Sequence, residues 1–214
     1  VREIEMYKNM AIIAVTGGMG CGQSTVCEFL SRMGVKVIDA DLVARKEIER
    51  NEELKKELKQ AFGRKIFYRN AKLNRKLLAK IAFSDEAKTS RLNRIVHPWM
   101  VAKVIDLIEQ IRDTRSYSLV AVDAALIYEL NLEKMFDAVI VVSSKMENRL
   151  ERIRKRDKLS NKEIRERINK QIPLEDKSQW ADFVIENNGD LNSLENYTKH
   201  TYSKLQNFLK RKRN

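Results

Sequence analysis

The stretch TGGMGCGQST, Thr16 to Thr25, constrains this chain more than any other. An apolar run, Ala11–Val15, precedes it and reads as a short buried strand. A helical pattern, STVCEFLSRMG, follows and ends at Gly34, a C-terminal helix glycine. A second strand, Val35–Ile38, comes next. Strand, glycine loop, helix, strand is the opening of a parallel α/β unit.

The loop fits the phosphate-binding pattern G-x-x-x-x-G-K-[ST] at Gly17, Gly22 and Ser24, with Gln23 in the lysine position. Glycines let the backbone turn tightly and aim N–H groups at phosphate oxygens, and the following helix adds its positive end. Gly18, Gly20, Cys21, Gly22, Gln23, Ser24 and Thr25 are therefore the predicted nucleotide-phosphate ligands, with Ser24 as the magnesium ligand. Gln23 can donate hydrogen bonds but carries no charge. Losing one such donor typically costs about 3 to 4 kcal/mol of transition-state stabilisation, a loss of rate rather than its abolition. The bland alternative is a flexible strand–helix turn.

Further strands are predicted at Leu119–Val122, Ala138–Val142 and Phe183–Ile185, and a last helix from about Leu191 to Leu209. Between Leu42 and Ser116 the pattern is charged and helical, with Pro98 expected to mark a helix start or kink. The expected fold is α/β: a five-stranded parallel sheet flanked by helices, with a helical insertion and a basic helical segment late in the chain. Such a sheet binds ligand beyond the carboxyl ends of its strands, where the glycine loop, Asp39, Asp41 and Asp123 all fall.

Asp39 and Asp41 are two apart on an extended exit and are expected to project similarly. Either can orient an acceptor hydroxyl, take its proton, or reach magnesium through water. Asp41 is the chosen general base; a helix-capping aspartate before LVARK is the alternative. Asp123 suits a magnesium-side carboxylate, a turn or a cap, and Glu129 a surface turn. Arg149, Arg152, Arg154, Lys155 and Arg156 form a basic run. Such a run is either a solvated face or a set of cations that close over a triphosphate. Arg152 and Arg156 share a helix face, and one of them can stand in for the missing lysine. His97, before Pro98, reads as packed or capping, and His200 as structural or exposed.

The 214 residues carry a net charge of +12, which favours anionic partners. No nucleic-acid-binding module accompanies it, so the basic tail Lys210–Asn214 is read as a solvated end. Cys21 and Cys27 make no zinc pattern, and a disulfide between them would bend the loop out of shape. A reduced, cytoplasmic setting is expected. Cys21 beside phosphates would be redox-sensitive only with a depressed pKa. No apolar run can span a bilayer, and residues 1–10 are too charged for a signal peptide.

The chain resembles the dephospho-coenzyme A kinase family, from Ala11 to about Leu209. The resemblance rests on TGGMGCGQST, GVKVIDADLVAR, LNRKLLAKIAFSDEAKTSRLNRIVHP, RIRKRD, INKQ and ADFVIENNG. It implies a nucleotide-binding core (10–44, 115–148, 176–214), a helical acceptor domain (45–114) and a lid (149–175). It implies transfer of the ATP γ-phosphate, with magnesium, to the 3′-hydroxyl of dephospho-CoA, the last step of coenzyme A biosynthesis. By the same resemblance Asp41 is the base, Arg156 contacts phosphate, and His97 and Arg45 lie on the acceptor side. Gln23 and Arg156 join Asp41 as the expected catalytic residues, with Arg152 as a further nucleotide contact and Asp39 and Asp123 as further substrate contacts. The departures are Gln23, Ala125 where the family has proline, and Leu174 where it has arginine. Three readings follow: a working kinase, a binding relative with impaired turnover, and a kinase of another acceptor, which the IDAD and HP motifs disfavour.

Overall fold

A computed structural model of the chain describes residues 10–157 and 160–213, apart from the side chain of Arg213. The N-terminal residues 1–9 and Asn214 of the basic tail lie outside the described residues. The chain forms two compact units, one of residues up to Ile38 together with those from Ile111 onward, the other Asp39–Gln110.

The first unit is built on a five-stranded sheet. Its strands are β1 (Ala11–Gly17), β2 (Lys36–Asp39), β3 (Leu119–Asp123), β4 (Ala138–Ser143) and β5 (Phe183–Glu186). They lie in the order β2-β3-β1-β4-β5. The sheet is parallel, with Val15 opposite Asp123 on one side of β1 and Gly17 opposite Val142 on the other. The central strands are buried on both faces, which is why they read as unbroken runs of Val, Ile and Ala. The helices α1 (Gln23–Arg32) and α9 (Leu191–Arg213) cover the sheet; they belong to one core with Ile13, Val15, Leu30, Ile140, Leu194 and Leu205.

In the second unit the charged stretch after β2 is two helices, α2 (Ala40–Arg50) and α3 (Glu52–Phe62). Asn51 divides them: its extended backbone ends α2, and its side chain accepts from Leu54 N at 3.1 Å to start α3. With α4 (Arg75–Ala82) they enclose Ile48, Leu54, Leu58, Leu78 and Ala82. The expected helix start at Pro98 is overturned. Pro98 sits inside one continuous helix, α5 (Glu86–Thr114), anchored on both sides of it by buried Val96, Met100, Val104 and Ile108 at four-residue spacing.

The late basic segment is three helices: α6 (Met146–Asp157), α7 (Asn161–Ile168) and α8 (Leu174–Trp180). Ile153, Ile164 and Ile168 pack α6 onto α7, with Met19 of the glycine loop against the same cluster. Among the described residues no helix is long and apolar enough to cross a membrane.

Candidate functional site

The glycine loop leaves β1 at the carboxyl end of the sheet's central strand. Gly17 is required by close packing, since a Cβ there would stand 2.6 Å from Val142 O. Gly22 adopts a φ of 89° to turn the chain into α1, a conformation that L side chains rarely take. No side chain caps α1, and no acidic residue lies in its first turn. The first amides of this helix and its positive end are thus left for an anion. Ser24 stands exposed in that turn and Thr25 is half-buried.

Gln23 turns away from this opening. Its amide nitrogen donates to Val15 O at 3.0 Å and to the Asp123 carboxylate. An amide nitrogen has only two N–H groups, and both are engaged by β1 and β3. Asp123 ends β3 and holds Gln23.

The outer side of the loop is held by residues from later in the chain. Asn187, 5% exposed just beyond β5, donates to Cys21 O at 2.8 Å. Gln171 accepts from Met19 N at 3.0 Å. Arg149 donates from Nε to Met19 O at 2.9 Å. Arg152 donates to Ser144 Oγ at 3.2 Å and to Asn187 O and Oδ1 at 3.0 and 3.1 Å, with Gly20 O at 3.5 Å. Arg149 and Arg152 are two of the five residues in a run that reads as one charged face; folded, both lie against the loop. Arg156 does not. It is mostly exposed and forks onto its neighbour Asp157 at 2.7 and 2.8 Å. That pairing holds the Asp157 carboxyl below its usual range.

Glu129 lies in the turn after β3 but not at the surface: it pairs at 2.6 Å with Lys177, which is fully buried, and accepts from Ile172 N at 3.1 Å. Leu174, in the place where the resemblance puts arginine, is buried in the sheet's core. Cys21 is fully buried; burial pushes its thiol above the usual value although Arg149 and Arg152 pull the other way. This is the opposite of the exposed, depressed-pKa setting that a redox-sensitive thiol needs. Neither cysteine is in a disulfide.

The acidic pair of the second unit also differs from expectation. Asp39 and Asp41 do not share an extended exit. Asp39 caps α2, accepting from Leu42 N at 2.8 Å, while Asp41 lies within the helix's first turn. The strand ends at Asp39, two residues short of what parallel projection requires. Asp41 is solvent-accessible but crowded by protein. Desolvation first, then the Asp39 charge, raise its pKa, while Arg45 and His97 oppose the rise. His97, half-buried in α5, is pushed below its ordinary value by burial, with Asp41 opposing. Asp39, Asp41, Arg45 and His97 thus form one electrostatic group, in which burial raises the pKa of the Asp41 carboxyl and lowers that of the His97 imidazole. His200 lies exposed on α9.

The sequence pattern did not single out Asn187, Gln171 and Lys177 for these contacts. The one available signal was polar residues at strand and helix ends, as in the NNG that follows β5.

A family model for dephospho-CoA kinase matches residues 11–193. The dephospho-CoA kinase of Listeria monocytogenes is 37% identical over 200 residues, which cover 94% of this chain and 98% of that protein. Among solved structures, TT1252 from Thermus thermophilus superposes with a TM-score of 0.76 at 30% identity, covering 92% of this chain and 98% of that one. The dephospho-CoA kinase from Campylobacter jejuni superposes with a TM-score of 0.62 at 28% identity, covering 91% and 97%.

Proposed function

The chain belongs to the dephospho-CoA kinase family, and from that premise we propose that it transfers the γ-phosphoryl group of ATP to the 3′-hydroxyl of dephospho-CoA. The observation that carries the reading is the uncapped, acid-free start of α1 behind the Gly17–Gly22 loop, a phosphate cradle within a family-wide match. The proposed setting is the cytoplasm, which agrees with two cysteines that form no disulfide.

In this reading the loop from Gly18 to Thr25 receives the ATP phosphates through backbone N–H groups. Asp41 takes the proton of the acceptor hydroxyl. Its raised pKa makes it a stronger base than an ordinary carboxylate. Neutral His97 can donate one hydrogen bond and accept another, which suits orienting a hydroxyl without competing for the proton. Arg45 and Asp39 set the charge around Asp41. Arg156 is a mobile cation: its partner Asp157 is adjacent and the pair is exposed, so exchanging that carboxylate for a phosphate costs little. Arg152 stabilises the loop beside the nucleotide.

Magnesium fits the residues present. Ser24 offers one exposed hydroxyl, and the described residues hold no cluster of three His, Cys, Asp or Glu side chains. That is the donor set for an ion carried mainly by phosphate oxygens and water, with Ser24 as its protein ligand. When bound, the ion neutralises charge on the β- and γ-phosphates.

The test is acceptor-dependent ADP release. The reading expects release with dephospho-CoA and none with its analogue lacking the 3′-hydroxyl; equal release with both would refute it. A second reading, a binding protein with little turnover, draws on Gln23, whose amide is held by Val15 and Asp123. It expects both ligands to bind without ADP release.

A further inference from the structure

A phosphate loop without its lysine needs its positive charge from elsewhere, and the side-chain amide of Gln23 has no N–H left to offer. Arg149 is the charged group in closest contact with the loop's first half. Its residue is 5% exposed, and a Cβ on Gly18 would stand 2.7 Å from its Nη2 and 3.0 Å from its Cζ. Gly18 is thus glycine because the guanidinium occupies that space. Nε donates to Met19 O, a neutral acceptor, at 2.9 Å. Among the described residues no carboxylate pairs with Arg149. Arg152 differs, with four neutral acceptors around its guanidinium.

A buried guanidinium without a counter-charge is unfavourable unless an anion completes it. The loop beside it is built to receive one. A hydrogen bond to Met19 O also polarises the Met19–Gly20 peptide, making the Gly20 N–H a stronger donor. The field of Arg149 already reaches inside the loop, where it opposes the rise in the Cys21 pKa.

We propose that Arg149 is the positive charge of this phosphate loop, a positioning residue that favours nucleoside triphosphate from behind the loop in place of a lysine at position 23. The inference rests on the loop being a phosphate cradle, as proposed above.

The experiment measures ATP binding by calorimetry and steady-state kinetics on the full chain and on Arg149→Gln, Arg149→Lys, Gln23→Lys and the double variant Arg149→Gln/Gln23→Lys. Arg149→Gln should lower kcat/KM for ATP by about a hundredfold, the usual effect of losing one such donor. Arg149→Lys should retain most activity. The double variant should recover most of the loss, because a lysine on the ligand side restores the charge. A purely structural clamp would not be rescued by a charge elsewhere, so failure of rescue in a folded double variant overturns the proposal. Should Arg149→Gln not fold, Gln23→Lys alone decides: a gain below about threefold is expected from a loop that already has its cation, and a gain of about tenfold or more overturns it. Wild-type chain that binds no ATP would refute the cradle reading itself. Wild-type chain that binds ATP no more tightly than Arg149→Gln would refute this inference alone.

Discussion

Lys177→Met isolates one buried ion pair on which the site's frame depends. Lys177 Nζ lies 2.6 Å from Glu129 Oε1 and donates to Ala125 O at 3.0 Å, in a residue with no solvent exposure. The pair ties the segment after β3 to α8, and Glu129 also accepts from Ile172 N in the turn before α8, where Gln171 holds the glycine loop through Met19 N. Methionine fills similar volume but leaves the Glu129 carboxylate with only the Ile172 N–H, its Oε2 already having no partner. Breaking a buried pair from one side costs about 3 to 5 kcal/mol. For a chain of this size, each kcal/mol lowers Tm by about 2 to 4 °C, so a drop of about 6 to 20 °C is expected in thermal unfolding followed by circular dichroism. Adding Glu129→Gln removes the stranded charge and keeps an acceptor for Ile172, so the double variant should regain most of the loss. A drop below about 1 kcal/mol would place this pair with exposed ones and refute the reasoning.

Asp41→Asn should lower kcat by about a hundredfold to ten-thousandfold, the range for loss of a general base, with ATP affinity by calorimetry little changed; equal losses in both contradict a base role. Because Asp41 must be ionised to act and its pKa is raised, the acid limb of kcat/KM should lie above the range of an ordinary carboxylate. Asp39→Asn keeps the cap on Leu42 N but removes the like charge that raises Asp41, so it should move that limb to lower pH; an upward shift would contradict the assignment. In NMR titration His97 should lose its proton below the ordinary value of 6.5. Asp41→Asn should lower that pKa further, since Asp41 opposes the effect of burial.

The frame of the molecule was readable because its signals are local. An apolar pentapeptide before a glycine loop, and a helical pattern after it, define β1 and α1 from neighbouring residues alone. The five strands follow the predicted runs within a residue or two. Asn51 was less readable, since one capping residue breaks a charged stretch whose helical periodicity continues on both sides. Asp39 and Asp41 look equivalent in sequence, yet the start of α2 between them gives them different jobs. The basic run of α6 hides a similar division. Arg149 and Arg152 lie against the loop while Arg156 stays exposed, because burial depends on what the far-off strands β1 and β5 bring near. The contacts of Asn187 and Gln171 span 166 and 152 residues, beyond the reach of any local pattern.

The central claim is best tested by incubating the purified chain with ATP, magnesium and dephospho-CoA and identifying the product by mass and by the position of its new phosphate. Coenzyme A, phosphorylated at the 3′-hydroxyl, is the predicted product. Unchanged dephospho-CoA, with both ligands shown to bind, would contradict catalysis and leave a binding protein in its place.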